Sequence, residues 1–131
     1  MEGAITCSPT VARMVLALQS SDLVILVETT LLPRNVSGET RVVAEAAVVR
    51  YVRIRLGVPG LYSHLIAVLG HELHHAMELA AAPNVRDEAS QRSHYLRIGY
   101  ASKRGGYFET EGAIETGRDV AREVEGCSAL R

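Results

Sequence analysis

The stretch 70-GHELHHAMEL-79 places three histidines and two glutamates among apolar residues. The segment around it, from Leu61 to about Ala82, carries apolar residues at helical spacing and leaves little room for a wide solvated face. It ends near Pro83, which cannot easily continue a helix. The sequence therefore predicts a central helix that buries much of this polar chemistry.

Two segments before this helix have the character of strands. The β-branched run at 22–28 predicts a short strand. Within 40–57, the polar residues Tyr51, Arg53 and Arg55 alternate with apolar ones, which is strand periodicity, and the first half of that range favours strand only weakly. Together they predict a short sheet of two or three strands.

The remaining segments favour helices. Ser8 and Pro9 are suited to the N-cap and the first residue of an N-terminal helix. Two more helices are expected after the central one, over about 87–98 and about 108–126, with a loop at 99–107 between them. Helix, strands and then helices is the order of an α+β fold.

Composition narrows the classes of function. The 131 residues suit one domain spanning 1–131, with 47% hydrophobic and 22% charged residues. A net charge of -1 and few aromatics argue against a nucleic-acid partner. No apolar run reaches the roughly 18 residues of a membrane span. The segment 1–10 lacks the features of a signal peptide, so none is expected in this chain, while export of a longer precursor stays open.

The central stretch matches the pattern H-E-x-x-H. His71 and His75 lie one helical turn apart on the same face, so both imidazoles can reach one cation. Glu72 stands beside the first ligand and can act as a general base toward water on a zinc ion. The alternative is that these histidines are satisfied structural residues without a metal. Burial of so many polar groups favours Zn²⁺.

A catalytic zinc site needs a third protein ligand, and two glutamates compete for this role. Glu78 follows on the same helix, where three ligands would crowd one side of the ion. Glu109 opens the last predicted helix, on the stripe that faces the core. That stripe also contains Ala113, Gly117, Val120 and Val124. A carboxylate on a buried stripe needs a partner, so Glu109 is favoured and Glu78 stays open. The third histidine of a metzincin is missing, because position 81 is alanine.

These motifs resemble a known family. The H-E-x-x-H helix followed some 30 residues later by a glutamate looks like the gluzincin branch of the zincin-like metallopeptidases. More closely, "GHELHHAMELA" and "YFETEGAIETGRDV" are similar to small bacterial proteins that carry G-H-E-L-x-H-A and F-E-T-x-A-A. The resemblance implies a zincin-like minimal domain with a short sheet, an active-site helix and a glutamate helix. It implies His71, His75 and Glu109 as zinc ligands and Glu72 as base.

Two functions of different classes follow from the motifs. One is a zinc-dependent hydrolase, a metallopeptidase that takes a peptide or protein substrate along an edge strand of the sheet. The other is a non-catalytic or vestigial zincin-like interaction domain. In that case a fourth protein ligand, such as Glu78 or His94, would close the site. Oligomeric state is left open.

Several further residues are weaker candidates for a role in the site. An oxyanion stabiliser is expected beside the zinc, and four residues qualify: His94, Tyr95, Tyr100 and Tyr107. Asp119 is a candidate to orient a ligand histidine. His64 is expected at the edge of the core near the start of the central helix, with a role beside a zinc ligand as the alternative, and His74 is expected to be packed or solvent-facing.

The two cysteines, Cys7 and Cys127, lie near opposite ends of the chain. Chain termini often lie close together, which would allow a disulfide, but two separate thiols are the simpler expectation.

Overall fold

The structure is a computed structural model that describes residues 1–102 and 107–127. Along the described part of the chain, two helices are followed by three strands, two helices, two short strands and a last helix. They are α1 (Glu2–Cys7), α2 (Pro9–Gln19), β1 (Leu23–Thr30), β2 (Gly38–Ala46), β3 (Val49–Gly57), α3 (Tyr62–Ala80), α4 (Glu88–Ile98), β4 (Tyr100–Ala101), β5 (Phe108–Glu109) and α5 (Glu111–Glu125). The α+β class expected from the sequence is confirmed.

The main sheet has three strands in the order β1-β3-β2. β1 runs parallel to β3, and β2 forms an antiparallel hairpin with β3 that has a bulge between Val42 and Ala44. Alternation along β3 sends Val52, Ile54 and Leu56 into the core. The formation of β2 confirms the weak preference of the first half of 40–57 for strand. The strand order leaves β2 at one edge of the sheet.

Helix α3 occupies the centre of the fold, as its apolar pattern predicted. It contacts the sheet on one side and packs along α5 on another. The approach to α5 is closest at Gly70, where a Cβ atom would lie 2.6 Å from Val120 Cγ2. Only a residue without a side chain allows the two backbones to come this near, and this closeness brings the segment before α5 to the polar face of α3.

A buried arginine joins the sheet to the end of α3. The side chain of Arg50 is fully buried on the inner face of β3, and its Nε and Nη2 donate to Asp22 at 2.7 and 2.8 Å. Its Nη1 donates to the carbonyl oxygens of Ala82 and Val85 at 3.0 and 2.8 Å. The alternation of β3 marks position 50 as inward-facing, but a sequence pattern does not reveal that an arginine there has these acceptors.

Two expectations require correction. Cys7 and Cys127 form a disulfide with an S–S distance of 1.98 Å, so the expectation of separate thiols is wrong. The reason is spatial, because α1 and the end of α5 lie side by side. The predicted loop 99–107 contains β4, which pairs with β5, while positions 103–106 lie outside the described residues. Among the helices described, none is both long and apolar enough to cross a membrane.

Candidate metal centre

Helix α3 presents its two motif histidines to a single cavity. The rings of His71 and His75 stand edge to face with their centroids 5.0 Å apart. The side chain of His75 is 5% exposed and that of His71 is 22% exposed. The one-turn spacing therefore produces the convergence that the sequence predicted.

Glu109 lies opposite these rings, although not where the sequence placed it. Its Oε1 is 2.9 Å from His71 Nε2 and 3.3 Å from His75 Nε2. It belongs to β5 and not to the last helix, because the Thr110 side chain accepts a hydrogen bond from Ala113 N at 3.2 Å and caps α5. The helix starts at Glu111, so the reasoning from a buried helical stripe was wrong for Glu109.

Glu72 lies beside the histidines and is almost fully buried. Its Oε1 accepts a hydrogen bond from Thr40 Oγ1 on β2 at 2.9 Å. Its Oε2 is 3.9 Å from His71 Nε2. Burial raises the pKa of this carboxyl, despite the opposing effects of the two histidines and Thr40. The group is therefore a better proton acceptor than an exposed glutamate.

Glu78 faces the other side of His75. Its Oε1 lies 2.7 Å from His75 Nδ1, and its Oε2 accepts from Thr110 Oγ1 at 2.6 Å. Burial disfavours its charge, but these hydrogen bonds lower the pKa of Glu78. The two glutamates that the sequence left as candidates for the third ligand therefore lie at different atoms. Glu109 lies near the Nε2 atoms of both histidines, and Glu78 lies at Nδ1 of His75.

The electrostatic balance of the cluster depends on close carboxylates. Burial favours the neutral imidazole of His75, but the carboxylates of Glu109 and Glu78 outweigh it and raise the pKa of His75 to about 10. Burial also favours the neutral acid of Glu109, yet His71 and His75 lower its pKa to about 2. In the metal-free cluster, the charges of the carboxylates and of the histidines therefore favour one another.

The donor atoms fit a zinc ion. The side chains of His71, Glu72 and His75 each offer a donor atom within 4.8 Å of the others, and Glu109 Oε1 lies 2.9 and 3.3 Å from the Nε2 atoms of the two histidines. His75 Nε2 is buried and, although it lies 3.3 Å from Glu109, it has no hydrogen bond of good geometry. Tetrahedral zinc with bonds of about 2.0–2.1 Å would hold its ligand atoms about 3.3 Å apart. Two imidazoles and one carboxylate are also a donor set typical of catalytic zinc.

A cavity of about 460 Å³ opens at this cluster. Strand β2 contributes Gly38 and Thr40 to one wall, and α5 contributes Ile114 and Gly117 to another. A Cβ atom at Gly117 would lie 3.3 Å from His71 Cβ, which is a tight contact. This glycine of the predicted core-facing stripe thus borders the histidine itself.

Gln91 on α4 covers part of the free edge of β2. Its side-chain amide donates to Thr40 O at 2.8 Å and accepts from Val42 N at 2.9 Å. The side chain is buried and borders the cavity. These two bonds are those that an added strand would make, so the edge of β2 is partly satisfied within the chain. No local sequence pattern indicates this role of Gln91, because its partner strand is some 50 residues away.

The candidate oxyanion stabilisers divide into two groups. Tyr107 and Tyr95 line the cavity, but the Tyr95 hydroxyl already donates to His75 O at 3.2 Å. Tyr107 lies under the guanidinium of Arg41 at 5.4 Å. Tyr100 is 46% exposed, and neither it nor His94 borders the cavity. Tyr107 is therefore the candidate that the geometry favours.

The remaining polar candidates take structural or exposed positions. Asp119 is exposed and pairs with Arg122, so it does not orient a ligand histidine. His64 is exposed, so the expectation of a place at the edge of the core is wrong. His74 is half-buried, with Nδ1 2.8 Å from Thr116 Oγ1. It is Glu78, and not Asp119, whose carboxylate lies at a ring nitrogen of a motif histidine.

Neither the family models, nor the curated proteins, nor the solved structures with which the chain was compared give a match. The resemblance to gluzincins therefore remains an expectation from the motifs.

Proposed function

We propose that this protein is a zinc-dependent hydrolase of zincin-like type, and that it acts as a metallopeptidase. The observation that carries the proposal is the meeting of His71 Nε2, His75 Nε2 and Glu109 Oε1 beside the buried carboxylate of Glu72. His71, His75 and Glu109 would hold the ion. When bound, zinc supplies Lewis acidity that acidifies water and polarises a carbonyl group.

Glu72 has the surroundings of a general base. Thr40 anchors Oε1, which leaves Oε2 on the side of the histidines to receive a proton. Its raised pKa lets the same oxygen hold that proton and then return it to a leaving amine. Tyr107 would face the carbonyl oxygen of a substrate in the cavity.

The edge strand beside the cavity favours an extended peptide as substrate. Strand β2 is an edge strand that borders the cavity, so a peptide can pair with it. Gln91 already occupies Thr40 O and Val42 N. A substrate strand is therefore expected to use the Gly38 end of the edge and to stop beside Gln91.

The alternative of a closed, non-catalytic zinc site has less support. It needs a fourth protein ligand such as Glu78 or His94. The Glu78 carboxylate is engaged by His75 Nδ1 and Thr110 on the far side of the ring, and His94 does not line the cavity.

Elemental analysis and a peptide-cleavage assay test the proposal. We expect about one zinc ion per chain in the wild type. Glu72→Gln should keep that zinc and lower hydrolysis about 10²–10⁴-fold, because the proton acceptor is lost while the ligands stay. His71→Ala should lose the zinc. Glu115→Gln, an exposed change on α5, is the matched control and should behave as the wild type.

Two outcomes would count against this function. A wild type that binds no zinc after loading would remove the metal centre. Undiminished hydrolysis in zinc-loaded Glu72→Gln would remove Glu72 from the chemistry.

A further inference from the structure

The carboxylate of Glu78 connects two parts of the chain that must meet at the metal centre. It lies on α3, its side chain is 15% exposed, and each of its oxygens has a separate partner. Oε1 is 2.7 Å from His75 Nδ1, and Oε2 is 2.6 Å from Thr110 Oγ1. A glutamate that served only to solubilise the surface would not have both oxygens bound at such short distances.

The first contact determines how His75 presents its ring. An ionised carboxylate can only accept hydrogen bonds, so His75 Nδ1 must carry the proton that it shares with Glu78. When a cation replaces the proton on Nε2, the neutral imidazole presents its lone pair on that atom, which faces Glu109. A carboxylate at Nδ1 also makes Nε2 a stronger donor to a cation.

The second contact reaches the segment that carries the other ligand. Thr110 follows Glu109 directly, and its backbone N–H donates to Glu109 Oε1 at 3.1 Å. The Thr110 hydroxyl donates to Glu78 and accepts from Ala113 N at 3.2 Å, which caps α5. A displacement of Thr110 would therefore move both Glu109 and the start of α5.

The neighbouring histidine supports the same arrangement. His74 Nε2 lies 3.6 Å from Glu78 Oε2, and its Nδ1 is 2.8 Å from Thr116 Oγ1 on α5. A Cβ atom at Gly112 would lie 2.7 Å from His74 Nε2, so this ring has little freedom to move. The Glu78 carboxylate is thus surrounded on three sides by groups that limit its rotation.

We propose that Glu78 is a positioning residue, which holds the His75 ring with Nε2 toward the cation and fixes the Glu109–Thr110 segment against α3. It touches neither the ion nor the substrate. This role rests on the proposed zinc site, whose ligands are His71, His75 and Glu109. Its effect is on the affinity for the metal and on the state of one imidazole nitrogen, both of which are measurable without any hydrolysis.

Zinc affinity measured by competition with a chromophoric chelator tests the first effect. We expect Glu78→Ala to weaken zinc binding about 10–100-fold, and Glu78→Gln by less, because the amide oxygen can still accept from Nδ1. Unlike Glu109→Ala, neither variant should lose the ion when zinc is in excess. Glu115→Gln, an exposed glutamate on α5, is the control and should bind zinc with wild-type affinity.

The imidazole protons of the zinc-loaded protein test the second effect. In nitrogen-resolved NMR, the wild type should show a slowly exchanging Nδ1–H of His75 at low field, because Glu78 binds and shields it. That signal should shift upfield in Glu78→Gln and be lost to exchange in Glu78→Ala. Thr110→Val, which removes the second contact and the cap of α5 but leaves the first contact, should keep the signal while it lowers the stability of the metal-free protein. A purely structural role for Glu78 would leave the His75 signal unchanged.

The outcomes separate this inference from the proposed function. If the wild type binds zinc but Glu78→Ala has wild-type affinity and an unchanged His75 signal, the positioning role is wrong and the metal centre stands. If Glu78→Ala loses the ion as completely as Glu109→Ala, Glu78 is itself a ligand and the inference is wrong. If the wild type binds no zinc at all, the proposed function and the inference both fall.

Discussion

Gly38 determines how closely the Glu72 carboxylate can lie against strand β2. A Cβ atom at this position would lie 2.7 Å from Val68 Cγ1 and 3.1 Å from Glu72 Oε2. We therefore expect Gly38→Ala to displace Glu72 from the place where it receives a proton. Displacement of a catalytic group by about 1 Å can lower the reaction rate about 10²-fold. The zinc content should not change, because the three ligands come from other positions.

This prediction is checked by hydrolysis rate and zinc content in the same preparation. Gly126→Ala is the matched control, since the nearest atom to its Cβ would be 3.9 Å away. A zinc-loaded Gly38→Ala protein with the wild-type rate would show that Glu72 tolerates the methyl group or takes no part.

The functional side chains differ in how far the sequence could predict them. The convergence of His71 and His75 follows from local helix geometry, so the motif alone is sufficient. Thr40, Gly38 and Gln91 contact the site from distant positions in the chain, and no pattern around them signals this. Glu109 was predicted to lie at the site with the two histidines, but the prediction relied on a helix that does not contain it.

The packing of α3 against α5 depends on small residues at the contact. A Cβ atom at Gly70 would lie 2.6 Å from Val120 Cγ2 and 3.0 Å from Val120 Cβ. Gly70→Ala gains about 1 kcal/mol of helix propensity. Overpacking against a stiff β-branched side chain costs about 1–3 kcal/mol. Because the Val120 side chain is fully buried and has little room to rotate away, we expect the cost to exceed the gain and the free energy of unfolding to fall by up to about 2 kcal/mol.

A double-mutant cycle in denaturant measures this contact. Val120→Ala alone should destabilise the protein by leaving a cavity. The pair Gly70→Ala with Val120→Ala should be more stable than the sum of the two single effects predicts, because the new methyl group fills the space of the removed ones. Strict additivity would mean that α3 and α5 are not in tight contact at this point.

Helices and strands with a local signal were predicted well, and their ends less so. The range of α3 follows from apolar periodicity, and the N-cap of α2 from Ser8 before Pro9. The start of α5 was placed three residues too early, although Thr110 before the acidic Glu111 is itself an N-cap signal. Strands β4 and β5 are two residues each and exist through pairing with one another, which no local pattern encodes.

A disulfide and a buried arginine are among the connections between segments far apart in the described part of the chain. The disulfide joins α1 to the end of α5 across 120 residues. Arg50 joins β3 to Asp22 before β1 and to the carbonyl groups after α3. Both place residues near the ends of secondary-structure elements, where sequence periodicity is weakest. Arg50 therefore connects the sheet, the segment before β1 and the segment after α3 through one buried side chain.

The ion pair of Asp22 and Arg50 makes stability depend on pH in a definite direction. The hydrogen bonds with Arg50 lower the pKa of Asp22 below its usual value of 3.8, although burial opposes this. A carboxyl with a lowered pKa in the folded state stabilises the protein fully above its unfolded pKa, and the stabilisation is lost as the pH falls through the folded value. We therefore expect Asp22→Asn to lower the free energy of unfolding at pH 7, and the difference from the wild type to shrink below about pH 4.

Urea unfolding of metal-free protein between pH 7 and pH 2.5 measures that difference. The titrations of the histidine cluster occur in both proteins and cancel in the comparison, so the change with pH reports Asp22. Asp119→Asn is the control, because Asp119 is exposed and its partner Arg122 is also exposed. It should change stability little at any pH, since exposed ion pairs contribute about 0–1 kcal/mol. A difference between Asp22→Asn and the wild type that stays constant down to pH 2.5 would mean that Arg50 binds the neutral group as well as the charged one.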